Sequence, residues 1–218
     1  MVITSIALWQ KGKVVGGDEA YQMSETNLFL QTAQRYFRQV LVNFGTAHDF
    51  GNLETAEEMT GSKRMGKFKW EKVDLVWFTV VPSSFGSSPA LSKQEYEKLD
   101  NLLASSSNVI LMTHIPLRTK DSFEYGKWSN DLNPTIPGSD SIYSIVQKHR
   151  HRILGIFQGH IHRQYETELF DVPVFCFPFI PEESYCELTQ DDRYVYLHHP
   201  AENKGTDRLK LKGKDIRT

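Results

Sequence analysis

Two histidines, His160 and His162, stand one residue apart directly after the apolar run ILGIFQ, in the stretch ILGIFQGHIHRQYE. Two neutral imidazoles at the end of a strand can ligate one rim of a metal site, and Gly159 allows the backbone to bend there. His114 follows a second apolar run, NVILMT, in the same way. A lone histidine after a strand is usually structural, but the recurrence and the His-x-His spacing favour a metal site.

Further polar residues follow other apolar runs. Asp18 comes after KVVGG, and His48 and Asp49 come after VLVNFGTA. Ligands of open α/β folds gather where strands end in loops, so these side chains are expected to converge on the histidines. His149 and His151 stand instead among arginines at a predicted helix end. Interaction with the helix C-terminus, or solvation, explains these two better than metal binding.

Composition limits the class of protein. Of 218 residues, 39% are hydrophobic and 24% are charged, which is ordinary for a soluble globular chain. A net charge of −2 gives no electrostatic reason to expect a nucleic-acid partner. The apolar opening MVITSIALW is too short for a membrane span, so a cytoplasmic location is the default expectation. The spacing of Cys176 and Cys186 is compatible with one disulfide or with two reduced thiols.

The elements that must position these residues alternate between strand-like and helix-like patterns. Helices are predicted over Glu25 to Gln39 and over Ser139 to His149. A third helix is predicted to begin at Ser92, which forms a capping box with Glu95. Continuous apolar runs predict strands that are buried on both faces. These runs are VITSIALW, VLVNF, VDLVWFTVV, NVILMTHI, ILGIFQ and VPVFCFPFI. The pattern predicts one domain over residues 1–218, an α/β sandwich with a mixed sheet flanked by helices.

Two strand-end phrases carry a family resemblance. Gly159-His160-Ile161-His162 resembles the final G-H-x-H motif of the calcineurin-like metallophosphoesterase superfamily, and Thr113-His114-Ile115-Pro116 resembles its upstream strand-end histidine. The stretch VILMTHIPLRT is similar to the branch that contains the GPI-anchor-remodelling phosphoesterases. The resemblance implies a metallophosphoesterase-like sandwich that binds one or two divalent ions (Mn, Fe or Zn) and a phosphoester substrate.

The N-terminal half departs from the superfamily pattern and permits two alignments. In the favoured one, Gly17-Asp18 serves as the G-D block with a bridging aspartate, and FGTAHDFG resembles G-N-H-D. His48 would then protonate the leaving oxygen, while Ala47 stands where an asparagine ligand belongs. In the other, GTAHDFG matches G-D-x-x-D-x-G with Thr46 replacing the bridging aspartate, and VVPSSFG stands at G-N-H-D. In the favoured alignment no D-x-H block precedes Asp18. In the other alignment Asp18 itself occupies that block, with Ala20 replacing its histidine.

Counting ligands in the favoured alignment separates the two metal positions. One keeps Asp18, His114 and His160, and three protein ligands suit a catalytic ion with open positions. The other keeps only Asp18 and His162. Arg118 is the best residue for a substrate-phosphate contact, because its planar fork matches phosphate geometry.

Three interpretations follow from a partly degraded dinuclear site. The first is a metal-dependent phosphoester hydrolase. The second is a catalytically inactive scaffold that keeps the fold and binds a protein partner, as the metallophosphoesterase-like retromer subunit is thought to do. The third is an N-terminally shortened chain whose missing part carried D-x-H. If that part also carried a membrane segment, the resemblance implies association with the ER or Golgi.

Overall fold

The computed structural model describes residues 4–5, 63–78, 91–113, 116–117, 119, 142–158, 165–176, 187–198 and 206–212. These ranges hold two helices and ten strands. The helices are α1 (Lys93–Ala104) and α2 (Ile142–His149). The strands are β1 (Thr4–Ser5), β2 (Met65–Trp70), β3 (Val73–Phe78), β4 (Val109–Thr113), β5 (Ile153–Gln158), β6 (Tyr165–Leu169), β7 (Val172–Cys176), β8 (Glu187–Gln190), β9 (Tyr194–His198) and β10 (Thr206–Lys210).

The strands form two sheets. The larger has six strands in the order β2-β3-β4-β5-β7-β6, and the smaller has four in the order β1-β8-β9-β10. In the larger sheet β3, β4, β5 and β7 run parallel, while β2 and β6 pair antiparallel at the two edges. Every residue of β3, β4 and β5 is buried, as the continuous apolar runs predict. The predicted α/β sandwich with a mixed sheet is confirmed.

Each face of the larger sheet has its own core, because successive side chains of a strand point to opposite faces. One face packs against the helices through Leu99, Leu103 and Val146, together with Val76 and Leu111 of the sheet. The other face packs against the smaller sheet. That second core contains Trp70, Val73, Leu75, Trp77, Ile110, Met112, Leu154, Phe157, Phe175, Leu188, Val195, Leu197 and Leu209. The described residues therefore form three layers, with the parallel strands in the middle one.

Helix α1 begins where its capping box predicts. The N–H of Glu95 donates to the Ser92 hydroxyl at 3.4 Å, and the N–H of Ser92 donates to Oε2 of Glu95 at 2.7 Å. Two of the amides that a helix start leaves without partners are satisfied in this way. The apolar stripe that follows buries Leu99 and Leu103 against the sheet.

Helix α2 ends at His149, as predicted, and the three residues before Ile142 lie outside the described ranges. The interpretation of His149 as solvated is wrong. Its side chain is buried, and its Nε2 lies 2.7 Å from Oδ1 of Asp100 on α1. His151, two residues past the end of α2, is exposed, as expected.

Both edge strands of the larger sheet were absent from the apolar-run prediction. β2 contains Lys67 and Lys69 and is only partly buried, and β6 alternates between half-buried and exposed residues. Charged residues on edge strands oppose pairing with other chains, and they also hide the strand from a search for apolar runs. Gly66 of β2 faces Trp77 of β3, and its lack of a side chain gives the indole ring its place across the strand.

The amino edge of the parallel strands is held by side chains from distant segments. Nδ2 of Asn108 donates to the carbonyl oxygen of Lys72 at 3.2 Å, and the N–H of Lys212 donates to Oδ1 of Asn108 at 2.8 Å. Nζ of Lys212 donates to the carbonyl oxygens of Arg150 at 2.7 Å and Ile153 at 2.6 Å. This edge is therefore closed by hydrogen bonds between segments that are distant in sequence.

Neither α1 nor α2 combines the length and the apolar character that crossing a membrane requires, and the described ranges contain no other helix. The single domain over residues 1–218 stays a prediction.

Candidate metal centre at the carboxyl edge

The predicted ligands Asp18, His114, His160 and His162 lie outside the described residues, as do His48 and Arg118. The strands that lead to three of them are described. β4 ends at Thr113, one residue before His114, and β5 ends at Gln158, two residues before His160. The geometry of these strand ends is therefore what the structure contributes to the site.

The two strands that precede the histidines are neighbours. β4 pairs in parallel with β5, and Met112 lies opposite Phe157 in the register. The carboxyl ends of adjacent parallel strands leave the sheet about 4.8 Å apart at the same edge. The same register continued by one residue places Thr113 beside Gln158. The chain thus enters the His114 segment and the Gly159-to-His162 segment from adjoining points.

A buried hydrogen bond joins the same two segments beyond the strands. The N–H of Leu117 donates to Oε1 of Gln158 at 3.0 Å, across 41 residues of sequence. Leu117 follows His114 by three residues, and its side chain is fully buried. The backbone on both sides of His114 is therefore fixed against β5, through β4 on one side and through the Gln158 amide on the other.

The other end of the Gln158 amide enters a chain of polar groups. Nε2 of Gln158 donates to the hydroxyl oxygen of Tyr165 at 2.8 Å, and that hydroxyl interacts with the thiol of Cys176. The three residues stand at one level of the sheet, because Cys176 pairs with both Gln158 and Tyr165. Burial raises the pKa of the Cys176 thiol to about 12, and the hydrogen bond from Tyr165 offsets this only in part. Cys176 is free, whereas Cys186 lies outside the described residues.

Two further segments leave the sheet at this edge. β3 ends at Phe78 and β7 ends at Cys176, and both run parallel to the histidine-bearing strands. The segment VVPSSFG of the second alignment follows β3 in the sequence. Four chain segments therefore leave the carboxyl edge side by side, and the topology is compatible with either alignment of the N-terminal half.

The predicted donor set fits a divalent transition metal in type. Imidazole nitrogens and a carboxylate oxygen are accepted by Zn, Fe and Mn. Within the ranges that the structure describes, no three His, Cys, Asp or Glu side chains come together in a way that could hold a metal ion. Any such centre is therefore formed with residues outside those ranges, which is where the sequence puts it.

Sequence reasoning missed Gln158 and Tyr165. Gln158 ends the apolar run ILGIFQ, and a polar residue that ends a buried run must find a partner for its amide. Tyr165, seven residues later, supplies one of its two partners. The signal for this pair was the polar residue itself, directly before the G-H-x-H phrase.

No family model matches the chain, and no curated protein sequence matches it. Solved structures do. One matching structure has a sequence 13% identical to this chain. The match covers 88% of this chain and 74% of the other, with a TM-score of 0.50. A calcineurin-like phosphoesterase, YfkN from Bacillus subtilis, is 10% identical over 90% of this chain and 71% of its own, with a TM-score of 0.41. The purple acid phosphatase PPD1 from yellow lupin (Lupinus luteus) seeds is 14% identical, with a TM-score of 0.44; the match covers 67% of this chain and 32% of the phosphatase. At 13% identity the similarity to the first of these structures is one of fold alone.

Proposed function

We propose that this chain is a metal-dependent phosphoester hydrolase whose metal centre is built at the carboxyl edge of the six-stranded sheet. In this proposal Asp18, His114 and His160 hold one ion, and His162 with Asp18 holds a second, weaker one. His48 protonates the leaving oxygen.

Arg118 completes the proposed site by binding the substrate phosphate through its planar guanidinium fork. When bound, a divalent ion polarises a phosphoryl oxygen and lowers the pKa of a coordinated water. The chain's own contribution is to supply neutral imidazoles and one carboxylate as metal donors, a proton at His48 and a positive charge at Arg118.

The single observation that supports the proposal is the pairing of β4 with β5. Two strands that end in metal-competent motifs could stand anywhere in a sheet of six, but these two are adjacent, parallel and in register at their carboxyl ends. Ligands of α/β proteins bind at this edge of a sheet. The Leu117–Gln158 hydrogen bond adds a second link between the same two segments.

The ligand count makes the expected activity metal-limited. Ala47 stands at a ligand position of the superfamily pattern, and the second ion has two protein ligands in the favoured alignment. Two cations about 3.5–4 Å apart clamp both oxygens of an in-line displacement in the intact mechanism, so weak binding of one ion costs much of the rate. We therefore expect the rate to rise as manganese is added above the concentration that saturates the first site.

The test compares the wild type with His160→Ala and with His151→Ala. His151 is an exposed histidine beyond the end of α2, at the opposite edge of the sheet, and serves as the matched control. Metal content after dialysis and the hydrolysis of bis(p-nitrophenyl) phosphate with added manganese are measured for all three. Replacing a residue that hydrogen-bonds to a metal ligand typically lowers metal affinity by about 10–100-fold. We expect the loss of the ligand itself in His160→Ala to lower the affinity by at least that much, and His151→Ala to leave it unchanged.

Acidity gives an independent readout. A histidine must be neutral to bind a metal, so manganese binding should weaken as pH falls below about 6.5.

Equal and near-zero metal content and activity in the wild type and His160→Ala would refute the hydrolase. The chain would then stand as a scaffold of the same fold, with a protein partner in place of a substrate.

A further inference from the structure

Gln158 is a buried amide at the last position of β5, and its side chain has 0% exposure. An amide in such a place costs free energy unless its oxygen and its nitrogen both find partners. Both do. The carbonyl oxygen accepts from the N–H of Leu117 at 3.0 Å, and the NH₂ group donates to the hydroxyl of Tyr165 at 2.8 Å.

The two partners fix the direction of the amide. A backbone N–H can only donate, so the carbonyl oxygen of Gln158 must face Leu117 and its NH₂ group must face Tyr165. Tyr165 is itself held in β6, which pairs with β7 at Cys176, and β7 pairs with β5. The Gln158 side chain therefore has one orientation, set by the sheet, and it presents an acceptor to the segment after β4.

The Leu117–Gln158 hydrogen bond joins two segments that lie close in sequence to the proposed ligands. Leu117 follows His114 by three residues, and Gln158 precedes His160 by two. The Gln158 side chain bonds the chain after β4 to the end of β5. The distance between segments that carry different ligands depends on such a bond, and misplacement of a ligand by about 1 Å is costly for a metal site.

We propose that Gln158 is a positioning residue, which holds the His114 segment against the end of β5 so that His114 and His160 can share one ion. This inference rests on the proposed function, since it takes the two histidines as ligands. It goes further by assigning a role to a residue that touches neither metal nor substrate. Outer-shell partners of this kind typically change metal affinity by about 10–100-fold when they are replaced.

The experiment uses two near-isosteric replacements of buried amides at opposite ends of the sheet. Gln158→Met removes both hydrogen bonds at the carboxyl edge. Asn108→Leu removes the two bonds that Asn108 makes to Lys72 and Lys212 at the amino edge. Both variants lose two hydrogen bonds of a buried amide, so they are matched in their cost to stability, and they differ in their distance from the proposed centre.

Two quantities are measured in the full chain. The first is the dissociation constant of manganese, by equilibrium dialysis. We expect Gln158→Met to raise it by about 10–100-fold and Asn108→Leu to leave it within about twofold. The second is hydrogen exchange of the Leu117 amide by NMR, with the amide of Leu111 in β4 as the internal reference. Gln158→Met should accelerate exchange at Leu117 relative to Leu111 by at least about tenfold.

Each outcome decides the proposal. Unchanged manganese affinity in Gln158→Met, or an equal loss in Asn108→Leu, would show that Gln158 serves stability alone and would overturn the positioning role. A wild type that binds no manganese would defeat the proposed function and the metal part of this inference together. Exchange at Leu117 would in that case still report whether Gln158 holds the segment, so the two failures can be told apart.

A second variant covers the case in which Gln158→Met does not fold. Tyr165→Phe removes the partner of the NH₂ group, together with the hydrogen bond to the Cys176 thiol, and keeps the Leu117 bond. The amide then has a donor without its protein acceptor, so its orientation is held from one side only. A positioning role predicts a smaller rise in the manganese dissociation constant, by several-fold, together with faster exchange at Leu117. No change in either quantity would contradict it.

Discussion

Asp100 joins the two helices of the outer layer through one carboxylate. Its Oδ1 lies 2.7 Å from Nε2 of His149, and Nζ of Lys148 donates to Oδ1 at 2.9 Å and to Oδ2 at 2.8 Å. The two partners differ in exposure, because the side chain of His149 is 5% exposed and that of Lys148 is 62% exposed. Asp100→Ala would leave one buried ring nitrogen and one solvated ammonium without this carboxylate.

The buried partner determines the expected cost. Loss of the partner of a buried polar group lowers the free energy of unfolding by about 1–3 kcal/mol. An exposed ion pair contributes about 0–1 kcal/mol, because solvent screens it. Alanine is the better helix former and returns up to roughly 0.7 kcal/mol. We therefore expect Asp100→Ala to lower the free energy of unfolding by about 1–3 kcal/mol, and Lys148→Met to lower it by less than about 1 kcal/mol.

Urea unfolding followed by circular dichroism measures both variants. Asn101→Ala, at an exposed neighbouring position of α1, reports the helix-propensity contribution alone. Asp100→Asn keeps a polar group that can bond to the ring nitrogen of His149, so it should recover most of the loss. A loss in Lys148→Met that equals or exceeds the loss in Asp100→Ala would refute the reasoning, because the exposed pair would then be the stronger one.

Three further predictions concern other parts of the fold. Gly66→Ala should lower the free energy of unfolding by about 1–3 kcal/mol, because the new Cβ would overlap the indole ring of Trp77. The ring cannot easily move away, since its N–H donates to the carbonyl oxygen of Lys63 at 2.6 Å. An unchanged urea midpoint would contradict the packing. Burial raises the pKa of Cys176 from 9.0 to about 12. Because the thiolate is the reactive form, alkylation of Cys176 by iodoacetamide at pH 8 should be roughly 1,000-fold slower in the native chain than in urea. Mass spectrometry identifies the labelled peptide. Hydrogen bonds from Lys148 and then from His149 lower the pKa of Asp100 below 3.8. The difference in free energy of unfolding between the wild type and Asp100→Asn should therefore be complete above about pH 4 and disappear as pH falls through the lowered pKa. A difference that persists at pH 2 would contradict this prediction.

The middle layer could be predicted from the sequence because burial on both faces leaves a continuous apolar run. β3, β4, β5 and β7 all coincide with such runs, and α1 begins at the capping box of Ser92 and Glu95. The edge strands could not be found in this way. β2 alternates apolar residues with lysines, and the turn after it is made by Glu71 with a φ of 48°, in place of the glycine that usually marks such a turn.

The candidate centre divides along the same line. The matched strand-end phrases predict that the apolar runs before His114 and His160 form neighbouring strands, and β4 and β5 are adjacent. The partners of the Gln158 amide could not be predicted, because one is a backbone N–H 41 residues earlier and the other is a tyrosine in an unpredicted strand. Contacts of this kind depend on the register between strands, and a single sequence does not contain the register.

The closure of the amino edge has a consequence for biosynthesis. The side-chain oxygen of Asn108 accepts from the N–H of Lys212, which is synthesised 104 residues later. The carbonyl oxygens of Arg150 and Ile153 accept from the ammonium of the same lysine, so all three bonds form only after Lys212 has been made. At about 5–20 residues per second, ribosomes need roughly 5–20 s to travel from Asn108 to Lys212. A nascent chain can therefore pair its parallel strands and pack its helices while this edge is still open. β10 is the last described strand of the smaller sheet and ends two residues before Lys212. Its docking therefore both covers the second face of the larger sheet and closes the edge opposite the proposed centre.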